Sequence, residues 1–378
     1  MMTSLWANRR VVVCVGTGGV GKTTVAAAMA VAAARSGRRV AVMTIDPSRR
    51  LSQALGLDAH NPTLQKVPLA SLPGGAGSET GSLHALMLDV QHTFDALIKA
   101  RARTPAHAQA ILQNRIYQHF SASLAGSHEY AAVEKLYDVN EDPTFDLIIL
   151  DTPPSHHALD FLDAPGRILR FLQGQDATDE GGGPSLARRM GRKLFDLGGS
   201  VVTRTVGKVS GAQTLQEVTS FLLSLKDMYA SFNTRAAAVE ALLQSDQVAF
   251  ALVGGPSPSQ VSALEQFAHE LGRFNIKPAA WVLNRMHPLF LAPKDRPYAA
   301  QCLAALQQEP EAPRDGWQQL QDAIDEELAI ASRDQEQLDK LQQGHPGALI
   351  FRIDDAPQGA DSLERLTALS RTFAQSLE

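Results

Sequence analysis

The first strong pattern along the chain is a run of five apolar residues, "VVVCV" (11 to 15). Its length and continuity fit a strand buried on both faces. A glycine-rich stretch, "GTGGVGKTT" (16 to 24), follows it. "TVAAAMAVAAARSG" (24 to 37) then reads as an alanine-rich helix stopped by Gly37, and "RRVAVMTID" (38 to 46) as a second strand. Strand, helix and strand in that order predict a βαβ unit and a parallel sheet.

Further apolar runs predict strands at "LHALMLD" (83 to 89), "FDLIILDTPP" (145 to 154), "VAFALVGG" (248 to 255), "PAAWVLNRM" (278 to 286) and "ALIFRID" (348 to 354). Between some of them the spacing turns helical. Val90, Phe94, Leu97, Ile98, Ile111, Leu112, Ile116, Tyr117 and Phe120 recur at helical intervals. Leu215, Val218, Leu222, Leu225, Tyr229 and Phe232, flanked by Phe221 and Met228, form a wide apolar stripe on a second, long helix. "GQDATDEGGGPS" (174 to 185) is polar and glycine-rich and reads as a loop. The pattern predicts one doubly wound α/β domain with a mostly parallel sheet. A helical subdomain is inserted in two pieces, at about 90–140 and 165–245.

Composition narrows the class. A hydrophobic content of 44% supports a substantial core, and 378 residues suffice for one large domain with an insertion. A net charge of −5 gives no overall attraction to nucleic acid or an anionic membrane. The local basic cluster "LARRMGRK" (186 to 193) fits a solvated helix face. No signal peptide is read at the N-terminus, and no apolar run is long enough to span a bilayer, so membrane contact is expected to be indirect. Two cysteines, Cys14 and Cys302, are too few for a disulfide framework or a CxxC zinc site, and a reducing, cytoplasmic setting fits. Cys14, inside a strand, reads as a small core residue.

The chemistry starts at the glycine-rich stretch. Gly16, four residues, Gly21, Lys22 and Thr23 satisfy G-x-x-x-x-G-K-[ST] between a strand and a helix. In such a loop the backbone N–H groups of Gly18, Gly19, Val20, Gly21, Lys22, Thr23 and Thr24 turn toward phosphate oxygens, helped by the helix N-terminus. Lys22 then reaches the β- and γ-phosphates of ATP, and the Thr23 hydroxyl ligates Mg²⁺. Asp46 and Asp151 stand at the ends of two predicted strands. Parallel sheets bind ligands at the carboxyl ends of their strands, so both carboxylates should arrive near the phosphates. One can join the Mg²⁺ shell while the other polarises the attacking water.

"GTGGVGKTT", "TIDPSRRLSQALG" and "LIILDTPPSHHALDFLDAP", in this order, resemble the ArsA-type ATPases. That family includes arsenite-pump-driving subunits and the ATPases that target tail-anchored membrane proteins. It is related to MinD, ParA and the nitrogenase iron protein. The resemblance extends through "AGSHEYAAVEKLYDV" (125 to 139) and "VLNRM", and so over most of the chain. It implies that Asp46 is the switch I aspartate that polarises the attacking water, that Asp151 begins switch II, and that both Asp46 and Asp151 touch Mg²⁺ through water. It also implies that Asn284 reads the adenine edge with Arg285 beside it, and that the ATPase works as a dimer.

Three positions depart from the family pattern. Thr17 replaces a lysine that reaches across the dimer interface to the partner's phosphates, and it is too short and neutral to do so. Arg49 stands where the targeting ATPases carry histidine in switch I. His156 stands where a glycine amide approaches the γ-phosphate in switch II. The neighbouring His156 and His157 point in different directions on a helical turn, which favours a surface or structural role over a metal pair.

Arsenite-driving relatives hold their metalloid with clustered thiolates, which two cysteines cannot build. The CxxC zinc clasp of eukaryotic targeting enzymes is absent too. The resemblance therefore favours a dimeric ATP-hydrolysing switch that opens and closes on a client. A weakly hydrolysing regulatory subunit, paired with a lysine-bearing related ATPase, is the alternative. A MinD- or ParA-like positioning ATPase ranks below both, because "DSLERLTALSRTFAQSLE" is mixed in charge rather than basic. The stripe from Leu215 to Phe232 can either shelter a client's hydrophobic helix or pack inside the protein.

Overall fold

The computed structural model describes residues 5–46, 50–69, 81–114, 117–118, 127–153, 229–288, 296–308, 317–355 and 363–374. Arg49, His156, His157, the loop at 174–185 and the stripe up to Leu225 lie outside the described residues.

In chain order the described elements are β1 (Val11–Gly16), α1 (Lys22–Arg35), β2 (Arg39–Thr44), α2 (Arg50–Leu55), β3 (Gln65–Val67) and β4 (Ser82–Met87). Next come α3 (Val90–Arg101), α4 (Pro105–Leu112), α5 (Ser127–Glu141), β5 (Leu147–Asp151), α6 (Tyr229–Leu243) and β6 (Val248–Gly254). The last are α7 (Pro258–Arg273), β7 (Ala280–Met286), α8 (Arg296–Gln307), α9 (Trp317–Gly344), β8 (Leu349–Asp354) and α10 (Leu363–Ala374). The strands form one eight-stranded sheet in the order β3-β4-β2-β5-β1-β6-β7-β8. Only β3 is antiparallel. Every strand expected from the apolar runs is present. Strand β3 was not expected, since three residues at a sheet edge, with only Val67 buried, leave no readable alternation.

Helices cover both faces, as a doubly wound sheet requires. Along β1, Val12 and Cys14 face a core shared with α1, α2 and α10. Val11, Val13 and Val15 face the opposite core, shared with α5, α6, α7 and α9. The first face is built from small residues: the alanines of α1 lie over Ala249, Ala251 and Ala280 of the sheet. This lets α1 sit close to the strands and bury all of its residues except Thr24 and Arg35. The second face is filled by Phe250, Trp281 and Leu136.

Helices α3, α4 and α5 fall between β4 and β5. Phe94, Leu97, Ile98, Ile111, Tyr117 and Tyr130 form a small apolar cluster of their own there. Asp89 caps α3 by accepting from the His92 N–H, and Thr104 caps α4. A buried polar network joins α5 to α6. Arg235 pairs with Glu134 and Asp138, its guanidinium lies over the Tyr137 ring at 4.1 Å, and the Tyr130 hydroxyl donates to Glu134 at 2.7 Å. Burial pushes the Glu134 carboxyl above its ordinary range against the pull of these partners. No described helix is long and apolar enough to cross a membrane.

Candidate functional site

The site forms where β2, β5 and β1 end side by side. Thr44 is in register with Asp151, and Asp151 with Cys14, so the loop after β1 leaves the sheet directly beside Asp151. Gly16 ends β1 against Val253 of β6. A Cβ there would overlap the Val253 carbonyl oxygen, so only glycine lets β1 pass its neighbour at this point.

Gly19 (φ 77°) and Gly21 (φ 89°) adopt the left-handed conformation and turn the loop into α1. Helices α3, α4 and α7 are capped by Asp89, Thr104 and Ser257, but Gly21 gives α1 no side-chain cap, and the first turn of α1 holds no acid. The first N–H groups of α1 and the positive end of its dipole are thus left for an anion, as phosphate binding needs. Gly18 and Gly19 are exposed, and nothing lies within 4 Å of where a Gly19 side chain would be. Val20 is buried, and Thr24 is half-buried in the first turn of α1.

Lys22 folds back over the loop. Its Nζ donates to the carbonyl oxygens of Gly16 at 3.1 Å and Thr17 at 2.9 Å. Burial pulls the Lys22 pKa below its ordinary value, while Asp151 and Asp46 oppose that shift. The Thr17 hydroxyl is buried without a hydrogen-bond partner.

Beneath the loop, the hydroxyls of Thr23 and Thr44 donate to the same oxygen of Asp151, Oδ2, at 2.7 and 2.8 Å. The other oxygen, Oδ1, is buried and has no partner. Asp151 is fully buried, and desolvation pushes its pKa up to about 6, with Thr23, Thr44 and Lys22 pulling the other way. An unpartnered carboxylate oxygen beside a threonine hydroxyl fits a hard divalent cation such as Mg²⁺. Asp46 lies two residues past β2, half-buried, and its backbone N–H is 3.2 Å from the Thr44 hydroxyl oxygen. Thr44 is the site residue that sequence reasoning missed. Its only signal is a hydroxyl at the last position of a strand that ends beside an acidic strand end.

A raised carboxyl pKa means that ionised Asp151 opposes folding. Its stabilising contribution is full below the unfolded value near 3.8 and is lost as pH rises through about 6. Asp151→Asn is therefore expected to unfold several degrees later than wild type at pH 7.5 without metal. The gain is roughly 3 kcal/mol and shrinks toward pH 4. Added Mg²⁺ should stabilise wild type and leave the variant unmoved. Thermal melts across pH, with and without Mg²⁺, check this, and a variant less stable than wild type at pH 7.5 would refute it.

On the far side of the loop, Asn284 of β7 is buried, and its Nδ2 donates to the Val20 carbonyl at 2.7 Å. A Cβ on Gly21 would press on this amide at 2.5 Å. Arg285 is exposed and left-handed, with φ 62°. Leu283 pairs with Arg352 and Met286 with Asp354, so Asn284 and Arg285 together face the single residue Ile353. This is a β-bulge, and a non-glycine residue held left-handed in it costs about 1–3 kcal/mol.

The fold and this site define a P-loop NTPase of the α/β class. The model of one family, described as anion-transporting ATPase, matches residues 9–301, and the chain belongs to that ArsA-type ATPase family. It is 31% identical over 164 residues to the arsenical pump-driving ATPase of Acidiphilium multivorum, which covers 42% of this chain and 26% of that protein. It is 26% identical over 280 residues to an uncharacterised protein of Streptomyces coelicolor, covering 74% of this chain and 63% of that one. It is 23% identical over 289 residues to the ATPase get3 of Aspergillus terreus, covering 76% and 75%. The chain thus spans about a quarter of the first relative and under two thirds of the second.

Proposed function

We propose that the chain is a Mg²⁺-dependent ATP-hydrolysing switch whose inserted helices couple the nucleotide state to a client protein. The observation that carries this reading is the triad under the loop, Thr23 and Thr44 on one oxygen of Asp151 with the other oxygen unpartnered. On binding Mg–ATP, the phosphates take the uncapped N–H groups of α1. Lys22 exchanges the Gly16 and Thr17 carbonyls for phosphate oxygens. Thr23 and Asp151 would hold the Mg²⁺, which when bound would supply charge neutralisation on the phosphates. Asp46 orients and polarises the attacking water, and Asn284 and Arg285 line the base.

The first insertion has its own apolar cluster and is tied to α6 by the Arg235 network, which supports a helical subdomain at about 90–140 and 165–245. A client with a hydrophobic helix is the partner that such a subdomain suits. Arsenite is a poor cargo. Cys14 is buried in β1 with its thiol pKa pushed well up, so this chain offers no thiolate cluster.

Thr17 shapes the assembly. Its place in the loop suits a dimer, either of two copies that both lack this cation or with a related, lysine-bearing ATPase that supplies it. Purified alone, the chain should bind Mg–ATP and hydrolyse it slowly, and Thr17→Lys should raise turnover by about 10-fold or more, as removal of a cationic finger lowers it in other phosphoryl-transfer enzymes. Rapid turnover by wild type that the substitution leaves unchanged would count against a missing cation.

A further inference from the structure

Four ties hold the β7 bulge. On the phosphate side, the Asn284 Nδ2 donates to the Val20 carbonyl at 2.7 Å. On the β8 side, the Asp355 N–H donates to the Met286 carbonyl at 2.7 Å, and Arg352 Nη2 donates to the His287 carbonyl at 3.0 Å. The fourth tie comes from the long helix α9. One oxygen of Asp334, Oδ2, accepts the His287 backbone N–H at 2.8 Å and meets His287 Nδ1 at 3.0 Å. Asp334 is only 5% exposed, in mid-helix and far from any helix end that would call for a capping acid. Arg352 also donates to Gln335 of α9 at 2.8 Å, so β8 and α9 grip the same loop together. Asp334 lies past residue 301, outside the span that matches the family model.

We propose that Asp334 is a positioning residue. Through the His287 N–H and imidazole it fixes the bulge that aims Asn284 and Arg285, and so sets the site's preference for an adenine base. A left-handed arginine inside a strand persists only where its surroundings over-determine it. One contact from the phosphate loop, two from β8 and its end, and one from α9 do so here, and the helix-borne one is the only contact of the four that comes from outside the sheet and the phosphate loop. Phosphate binding draws on different groups, the N–H groups of α1 and Lys22. Base affinity and phosphate affinity therefore part company when Asp334 is lost. The inference rests on the proposed reading of Asn284 and Arg285 as base-side residues.

The test titrates the full chain with Mg–ATP, Mg–GTP and Mg–tripolyphosphate. Asp334→Ala should bind Mg–ATP about 10-fold more weakly and lose most of its preference over Mg–GTP, a change of the size that misplaced binding groups produce. Its tripolyphosphate affinity should stay within about 2-fold of wild type, because Lys22 bonds the Gly16 and Thr17 carbonyls and Asp334, among the described residues, bonds only His287. Asp334→Asn keeps one carbonyl oxygen for both hydrogen bonds and should restore selectivity. If Asp334→Ala does not fold, Arg352→Gln decides, since it removes the facing tie from β8 and should lower ATP selectivity in the same direction. Equal losses for ATP and tripolyphosphate, or unchanged selectivity in both variants, overturn the proposal. A wild type that takes tripolyphosphate but shows no preference for ATP overturns the base-side reading itself.

Discussion

Asp46→Asn is expected to bind Mg–ATP within about 3-fold of wild type and to turn it over at least ~100-fold more slowly, whereas Lys22→Ala should lose most of the binding itself. The two residues sit in different electrostatic roles. Lys22 is buried over the loop with its Nζ on two carbonyls, so its charge is desolvated and ready for the phosphates. Removing it leaves the anion without its nearest cation. Asp46 lies past the end of β2, half-buried and close enough to raise the Asp151 carboxyl. An amide there keeps the size and the hydrogen-bonding shape but cannot polarise water. Equilibrium titration and steady-state turnover on the same preparations separate the two. If Asp46→Asn loses binding and turnover in equal measure, Asp46 belongs to the metal shell and not to the water.

The second large effect is on folding. Gly16→Ala should cost about 3 kcal/mol or more, or leave little folded protein, because the added carbon overlaps a backbone carbonyl instead of a side chain that can turn away. Gly16 is the last residue of β1, in register with Val253, and β1 is the strand from which the phosphate loop springs. Relief therefore requires β1 and β6 to separate at the mouth of the site. Denaturant unfolding measures the loss, and a variant of wild-type stability with normal Mg–ATP binding would show that the strands yield more easily than their contact implies. Gly19→Ala is the contrasting control. It has open space around it, and only its left-handed backbone resists a side chain.

Legibility differed by element for physical reasons. β1 and β6 are buried on both faces, as are β5 and β7 up to Leu150 and Leu283, so these stretches had to be apolar without a break, and such runs stand out. β3 is an edge strand with one buried residue and leaves no comparable trace. Within the site, Lys22 and Thr23 are fixed by local spacing, because the loop and the first turn of α1 are continuous in sequence. Thr44 and Asp151 are 107 residues apart and meet only through strand pairing. The Asn284–Val20 bond crosses 264 residues. The motif "SHEYAAVEKLYDV" gains a reason from the fold: Tyr130, Glu134, Tyr137 and Asp138 face one side of α5, where they enclose Arg235.

By itself, the sequence determined the class of fold, the phosphate loop and the acidic strand ends, because each depends on neighbours within a few residues or on a strand's total burial. It also set the question of Thr17, a neutral residue where related loops carry a lysine. Only the tertiary structure decided that Asp151 keeps one oxygen unpartnered under the loop and that Asn284 holds the loop from the far side. It alone brought Asp334 of α9 onto the bulge. Those facts depend on which strands lie side by side and where a distant helix lands, and no local pattern of apolar and polar residues encodes either.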